Sequence, residues 1–191
     1  MFFEKKRGPL SVLPLLLVLF LCLYGTTLAE KQASPLLGEW AYAYEPDVSV
    51  LLVSADGTAR FQDQAWRWED TDGFLRLTSD EGTEMTLRYA ITDKEICIYP
   101  RTAYRRGKEV EGQGGLIGIW EGIQGGSNFV FTPAGYFLED SAFSGNYVSD
   151  PEKGQFLLHY GDAFADTLCY YTIEDDILTV EYPWPVVPLQ P

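Results

Sequence analysis

A near-repeat limits what this chain can fold into. Leu36-Leu37-Gly38-Glu39-Trp40 returns as Leu116-Ile117-Gly118-Ile119-Trp120, an apolar pair followed by Gly-x-Trp. The later landmarks keep their order. Asp56-Gly57 leads to Phe61, and Ala134-Gly135 leads to Tyr136-Phe137-Leu138. Trp66 and Trp68 precede Asp72-Gly73 and Phe74-Leu75-Arg76-Leu77; Tyr147 precedes Lys153-Gly154 and Phe156-Leu157-Leu158. Each copy closes with paired runs, Met85 to Ile91 with Ile96 to Tyr99, and Thr167 to Ile173 with Leu178 to Tyr182. Fixed landmark order is the mark of internal duplication, here over 36–100 and 116–183.

Both copies read as β-meanders. Met85, Leu87, Tyr89 and Ile91 alternate with Glu84, Thr86, Arg88 and Ala90, the period of a half-buried strand. Asp56-Gly57, Asp72-Gly73 and Ser79 to Gly82 punctuate the first copy, and Asp-Gly suits the primed hairpin turns. No helical period runs through the first copy. The expected fold is all-β, an antiparallel meander barrel or sandwich made of two diverged repeats. A copy this short buries little surface alone. One shared unit of roughly 12 strands is favoured over two stacked small barrels, because closure removes free strand edges.

Three segments lie outside the copies. Residues 101–115 carry Arg101, Arg105, Arg106 and Lys108 and end in Gly112-Gln113-Gly114-Gly115. This is read as a solvated linker rather than a basic docking strip. The tail 184–191 follows Pro183 with Pro185, Pro188 and Pro191, and proline lacks the ladder donor. It is read as an extended strap, with Trp184 packing across a barrel end. Residues 1–29 have the layout of a secretory signal peptide: Lys5-Lys6-Arg7, an apolar run from Val12 to Tyr24, and small residues at Thr27 and Ala29. Apolar residues before Cys22 argue against a lipoprotein signal. The expected location is secreted or extracytoplasmic, with the membrane met only through the leader.

The formal net charge is -14, a surface that repels phosphate backbones, so nucleic acid is not expected as a partner. Cys97 and Cys169 follow the leader. A disulfide between them would tie the copies together in an oxidising compartment, whereas two free buried thiols would act as small hydrophobes.

Gly38/Trp40 and Gly118/Trp120, each opening a β-meander, resemble the start of lipocalin-like proteins, where Gly-x-Trp begins the first barrel strand. The wider pattern, with Asp56-Gly57-Thr58 and the closing Leu178-Thr179-Val180, is similar to small lipocalin-like repeats of secreted Gram-positive bacterial proteins. The resemblance implies a barrel and an extracytoplasmic binding or structural role.

Enzyme signatures such as Gly-x-Ser-x-Gly, Gly-x-Gly-x-x-Gly and His-Glu-x-x-His do not occur, and His159 is the only histidine. A Cys169–His159 pair is conceivable between adjacent strands, but a lone strand histidine is read as structural. Asp70, Asp72, Asp80, Glu81 and Glu84 are read as charged turns, without EF-hand spacing. No cofactor or metal is expected. The aromatics carry the functional signal: Tyr42, Tyr44, Trp66, Trp68 and Tyr170, with Tyr171, exceed what one face of a meander hides. Exposed aromatic rings recognise apolar molecules, peptides or sugars. The leading expectation is a non-catalytic binding or structural protein for an apolar small molecule or an extracellular peptide or protein. The other is a glycan-binding or glycan-hydrolysing module with an aromatic platform and flanking carboxylates.

Overall fold

The computed structural model describes residues 34–92, 95–108, 112–123 and 127–190; the leader read at 1–29 lies outside them. Short alternating stretches separated by turn residues give strands β1 (Gly38–Tyr42), β2 (Glu45–Val53), β3 (Thr58–Phe61), β4 (Gln64–Thr71), β5 (Phe74–Thr78), β6 (Glu84–Ile91) and β7 (Ile96–Tyr99) in the first copy. β8 (Arg101–Arg106) follows. The second copy gives β9 (Gly118–Gly122), β10 (Phe129–Phe131), β11 (Tyr136–Glu139), β12 (Phe143–Asp150), β13 (Gln155–His159), β14 (Thr167–Glu174) and β15 (Ile177–Glu181). β16 (Trp184–Pro188) ends the series.

The strands close into two antiparallel barrels of eight strands each, not the single shared unit favoured from sequence. Seven strands of each copy form an up-and-down meander, and the eighth is the strand that follows the other copy in sequence. β16 enters the first barrel between β7 and β1, and β8 enters the second between β15 and β9. The crossings are alike: Tyr99-Pro100 leads into β8, and Tyr182-Pro183 into β16. Each guest strand also supplies core. Val186 is buried in the first barrel and Tyr104 in the second.

Residues 101–106 are therefore a barrel strand, not a linker, and the proline-rich tail is a strand with neighbours on both sides, not a strap. The basic residues of the join hold β8 in place. Arg106 stacks on the Trp120 ring at 4.1 Å, pairs with Asp176 at 2.8 Å and donates to the carbonyls of Ile117 and Gly115. The prolines fit β16 because their carbonyls, or their neighbours, make the bonds. Ala43 donates its N–H to the Pro185 carbonyl at 3.0 Å, and Leu189 donates to Glu39 O at 2.9 Å. Pairing is thin as a result, with three residues in register on each side of β16.

The Gly-x-Trp feature has the same job in both barrels. Gly38 (φ 131°) and Gly118 (φ 145°) take positive φ, which a side chain disfavours. This bends each indole back, so that Trp40 Nε1 donates to Leu36 O and Trp120 Nε1 to Leu116 O, each at 2.8 Å. A second device recurs four times. The carbonyls of turn glycines Gly57, Gly73, Gly135 and Gly154 accept the N–H of Trp68, Tyr89, Tyr147 and Tyr171 respectively. The Asp56-Gly57 turn is not primed, since only Gly57 has positive φ; Gln62-Asp63, Asp72-Gly73, Asp140-Ser141 and Asp175-Asp176 hold positive φ at both positions.

The glycine carbonyls fix the correspondence of the copies. Trp68 matches Tyr147, Leu87 matches Cys169, Arg88 matches Tyr170, and Tyr99 matches Glu181. The last four of these meet where the barrels touch. The Arg88 guanidinium lies 3.8 Å from the Tyr170 ring centroid, and Tyr99 meets Tyr170 edge-on. Arg88 Nε donates to Glu181 at 2.6 Å and Arg101 to the other carboxylate oxygen at 2.9 Å. Matching positions touching each other is what an approximate two-fold relation produces. Glu181 is buried and doubly paired.

Cys97 and Cys169 are free buried thiols, so the bridge weighed from sequence does not form. Cys169 faces the second core in the place of Leu87, and Cys97 lies opposite Pro185 of β16. They stand in different barrels.

Two predictions follow from this topology. Ending the chain after Pro183 removes β16, so amide exchange should show protection lost from β1 and β7 and retained in β8 to β15; equal loss in both barrels would reject the strand exchange. Glu181→Ala leaves two arginines without their shared carboxylate and should cost about 2–4 kcal/mol in urea unfolding, with Glu181→Gln costing less because its amide still accepts.

Candidate functional site

The core residues leave few aromatics for the surface, and most of these gather in one place. At the end of β1 the chain turns through Ala43 and Tyr44, which brings Tyr42 and Tyr44 side by side. Their rings stack at 5.4 Å and 10°. Trp184, the first residue of β16, tilts against both, at 5.7 Å from Tyr42 and 5.4 Å from Tyr44. Tyr182, in the crossing before β16, lies 5.5 Å from Trp184. Tyr44 is 64% exposed and Trp184 37%, so the cluster is open to water.

The polar end of the cluster comes from the second barrel. The Tyr182 hydroxyl is 3.3 Å from that of Tyr160, which donates to Glu139 Oε2 at 3.1 Å. Beyond Tyr160 the rings continue through Phe164 (5.7 Å) to Phe143 (5.7 Å), both exposed. The cluster thus spans both barrels along the crossing into β16.

Its electrostatics keep the rings neutral. Burial, then the neighbouring Tyr44 hydroxyl, pushes Tyr42 up to about 12. Burial and then Glu45 raise Tyr44. Burial also raises Tyr160 and Tyr182; for Tyr160 the Tyr182 hydroxyl and the Glu139 carboxylate add to it. Glu139 is raised by burial, partly offset by the bond from Tyr160. The result is an exposed cluster of mutually tilted aromatic rings, edged by phenol hydroxyls and one half-buried carboxyl. Such a surface can stack on a flat apolar face and exchange hydrogen bonds at its edge.

Of the five aromatics singled out from sequence, Tyr42 and Tyr44 stand in this cluster. Trp66 is buried in the first barrel. Trp68 is half-buried against that core, and its Nε1 donates to Ser54 O at 2.8 Å, closing a turn as Tyr147 does through its hydroxyl to Thr132 O. Tyr170 lies under Arg88 at the barrel junction. Sequence reasoning missed Trp184, Tyr182, Tyr160 and Glu139 as partners. The repeated Tyr-Pro before β8 and β16 was the available signal, since it marks the tail as a counterpart of the join.

His159 pairs through Nδ1 with Asp166 on the outer surface. Cys169 faces inward, so the conceivable Cys169–His159 pair does not assemble. Asp70 accepts the Tyr89 hydroxyl at 2.8 Å.

Comparison with known proteins finds no match to a protein family, to a curated protein or to a solved structure.

The raised Glu139 pKa gives a signed prediction. A carboxyl whose folded pKa lies above its unfolded value binds more protons when folded. Its contribution to stability is therefore greatest at low pH and falls as pH rises from the unfolded toward the folded pKa. Glu139→Gln should flatten this fall, leaving stability at pH 7 equal to or above that of the parent. A loss of more than about 1 kcal/mol at pH 7 in urea melts would show instead that the ionised carboxylate is held favourably.

Proposed function

We propose that this protein is a non-catalytic glycan-binding module that works outside the cytoplasmic membrane, with Tyr42, Tyr44 and Trp184 as its platform. The observation that carries the reading is that a barrel of this fold closes without aromatics at these positions. In the second barrel the positions matching Tyr42 and Trp184 hold Gly122 and Thr102, and that barrel closes equally well. The packing residues behave differently, since Trp40 has Trp120 and Trp68 has Tyr147. Exposed rings that barrel closure does not require are the usual anchors of a binding surface.

A sugar ring suits this surface. One pyranose face presents C–H groups that pack on an aromatic ring, while its equatorial hydroxyls reach outward to phenol oxygens and carboxylates. The Tyr160–Glu139 pair beyond Tyr182 supplies such groups. The acidic excess of the chain favours neutral or cationic glycans over anionic ones.

An enclosed apolar ligand, as in a lipocalin cup, is not the reading we adopt. An eight-stranded barrel either fills with its own side chains or holds one small ligand; here Trp120, Phe129, Phe131 and Phe156 occupy the second interior and Trp40, Leu51, Phe61 and Trp66 the first.

The test is retention on a panel of neutral and amino-sugar polysaccharides. The parent should be retained on at least one, and Tyr44→Ala and Trp184→Ala should each weaken retention at least tenfold. Tyr136→Ala, at an aromatic equally exposed but on β11, should leave it unchanged. Tyr44→Ala should alter stability by no more than about 0.5 kcal/mol. Retention that survives the double substitution would remove the platform from the mechanism, and no retention on any polysaccharide would remove glycans.

A further inference from the structure

The outer face of the second barrel carries a row that the first barrel does not. Val148 on β12, Leu157 on β13 and Leu168 on β14 are in direct register across three strands. Val148 is 72% exposed and Leu168 39%. The matching row of the first barrel, also in register, is Glu69–Arg76–Thr86. The same three positions thus accept charged and polar side chains without harm to the fold, and the apolar residues of the second barrel are not there to stabilise it. Beside the row is a solvent-open depression of about 260 Å³, lined by Val148, Leu157 and Leu168 of the row and by Asp150, Gln155 and Phe156.

We infer that this face is the contact surface for a second copy of the chain, docked about a two-fold axis. Two observations select this occupant. The first is shape. A two-fold contact requires one surface to hold both projection and recess, and here the protruding Val148 borders the depression that a partner's Val148 would enter. The second is charge. A chain of net charge -14 repels its own copies over most of its surface. The row itself is uncharged, and the carboxylates bordering it along its strands are engaged: Asp150 with Lys153 at 2.7 Å, and Asp166 with His159. Copies can approach here at the least electrostatic cost. The row spans only three residues, so the dimer is weak and forms at high local concentration.

Sedimentation velocity of the purified protein between about 1 and about 200 µM tests this. The expected result is a monomer–dimer equilibrium with Kd in the tens of micromolar. Added salt should strengthen it or leave it unchanged, because screening relieves repulsion between acidic copies. The triple variant V148E/L157R/L168T installs the row that the first barrel already carries. It should weaken dimerisation at least tenfold with an unchanged melting temperature; Val148→Lys alone serves if the triple variant folds poorly. A parent that stays monomeric throughout, a dimer indifferent to these substitutions, or a dimer lost at high salt overturns the inference. So does a monomer that takes up an apolar dye at this depression, which would make the occupant a small molecule.

Discussion

Closure holds this molecule together, and neither copy achieves it alone. Seven strands leave a gap between the first and the last, with two open edges whose N–H and C=O groups would face water or another chain. β8 and β16 fill these gaps reciprocally. The exchange makes the barrels interdependent in sequence. The second occupies one continuous stretch from β8 to β15, whereas the first must wait for β16 before it can shut. Contacts of such long sequence separation cost loop entropy before they return any stability, and they slow folding. The anchoring of the two guest strands reflects that asymmetry. β8 is clamped by Arg106 onto Trp120 and Asp176, whereas β16 relies on Val186, thin pairing and the aromatic contacts of Trp184.

The interiors explain why function is sought outside. Each barrel wall is drawn in by an indole bonded to the chain just ahead of it and by aromatic residues whose N–H groups grip turn glycines. Those aromatics point into the barrel or across its rim and fill the space that a larger barrel would leave open. A filled barrel is a rigid mount, and what it offers a partner is its outer face, its rims and the seam between the two units.

Much of the fold could be read from residues. The duplication, the strand positions and the Gly-x-Trp signature all follow from alternation and turn chemistry, which are local. What stayed hidden was non-local. Basic residues and glycines made 101–115 look like a linker, because sequence pattern does not say that Arg101 would meet Glu181 or that Arg106 would stack on Trp120. Proline made the tail look like a strap, because the rule against proline in sheets concerns donors, and Pro185 serves β1 with its carbonyl. The site was half legible for the same reason. Tyr42 and Tyr44 stood out by composition, but Trp184 joins them only through strand exchange, and Trp66 and Trp68 were indistinguishable from them until their strands had an inside and an outside.

Within one chain, the two barrels serve as each other's control. Where matching positions keep one chemistry, as with Trp40 and Trp120 or Leu87 and Cys169, the fold itself accounts for the residue. Some differ because the pair meets across the junction, and there the difference is structural too: two arginines at the place of Arg88 and Tyr170 would repel, whereas a guanidinium on a phenol ring attracts. Two differences have neither explanation. One is the aromatic group at Tyr42 and Trp184 against Gly122 and Thr102; the other is the apolar row at Val148, Leu157 and Leu168 against Glu69, Arg76 and Thr86. Both put apolar surface into water on a fold that has shown it can do without, and exposed apolar area carries a solubility cost that only an interaction offsets. They lie on different barrels, so a duplicated framework lets each unit keep its closure residues while its free face varies.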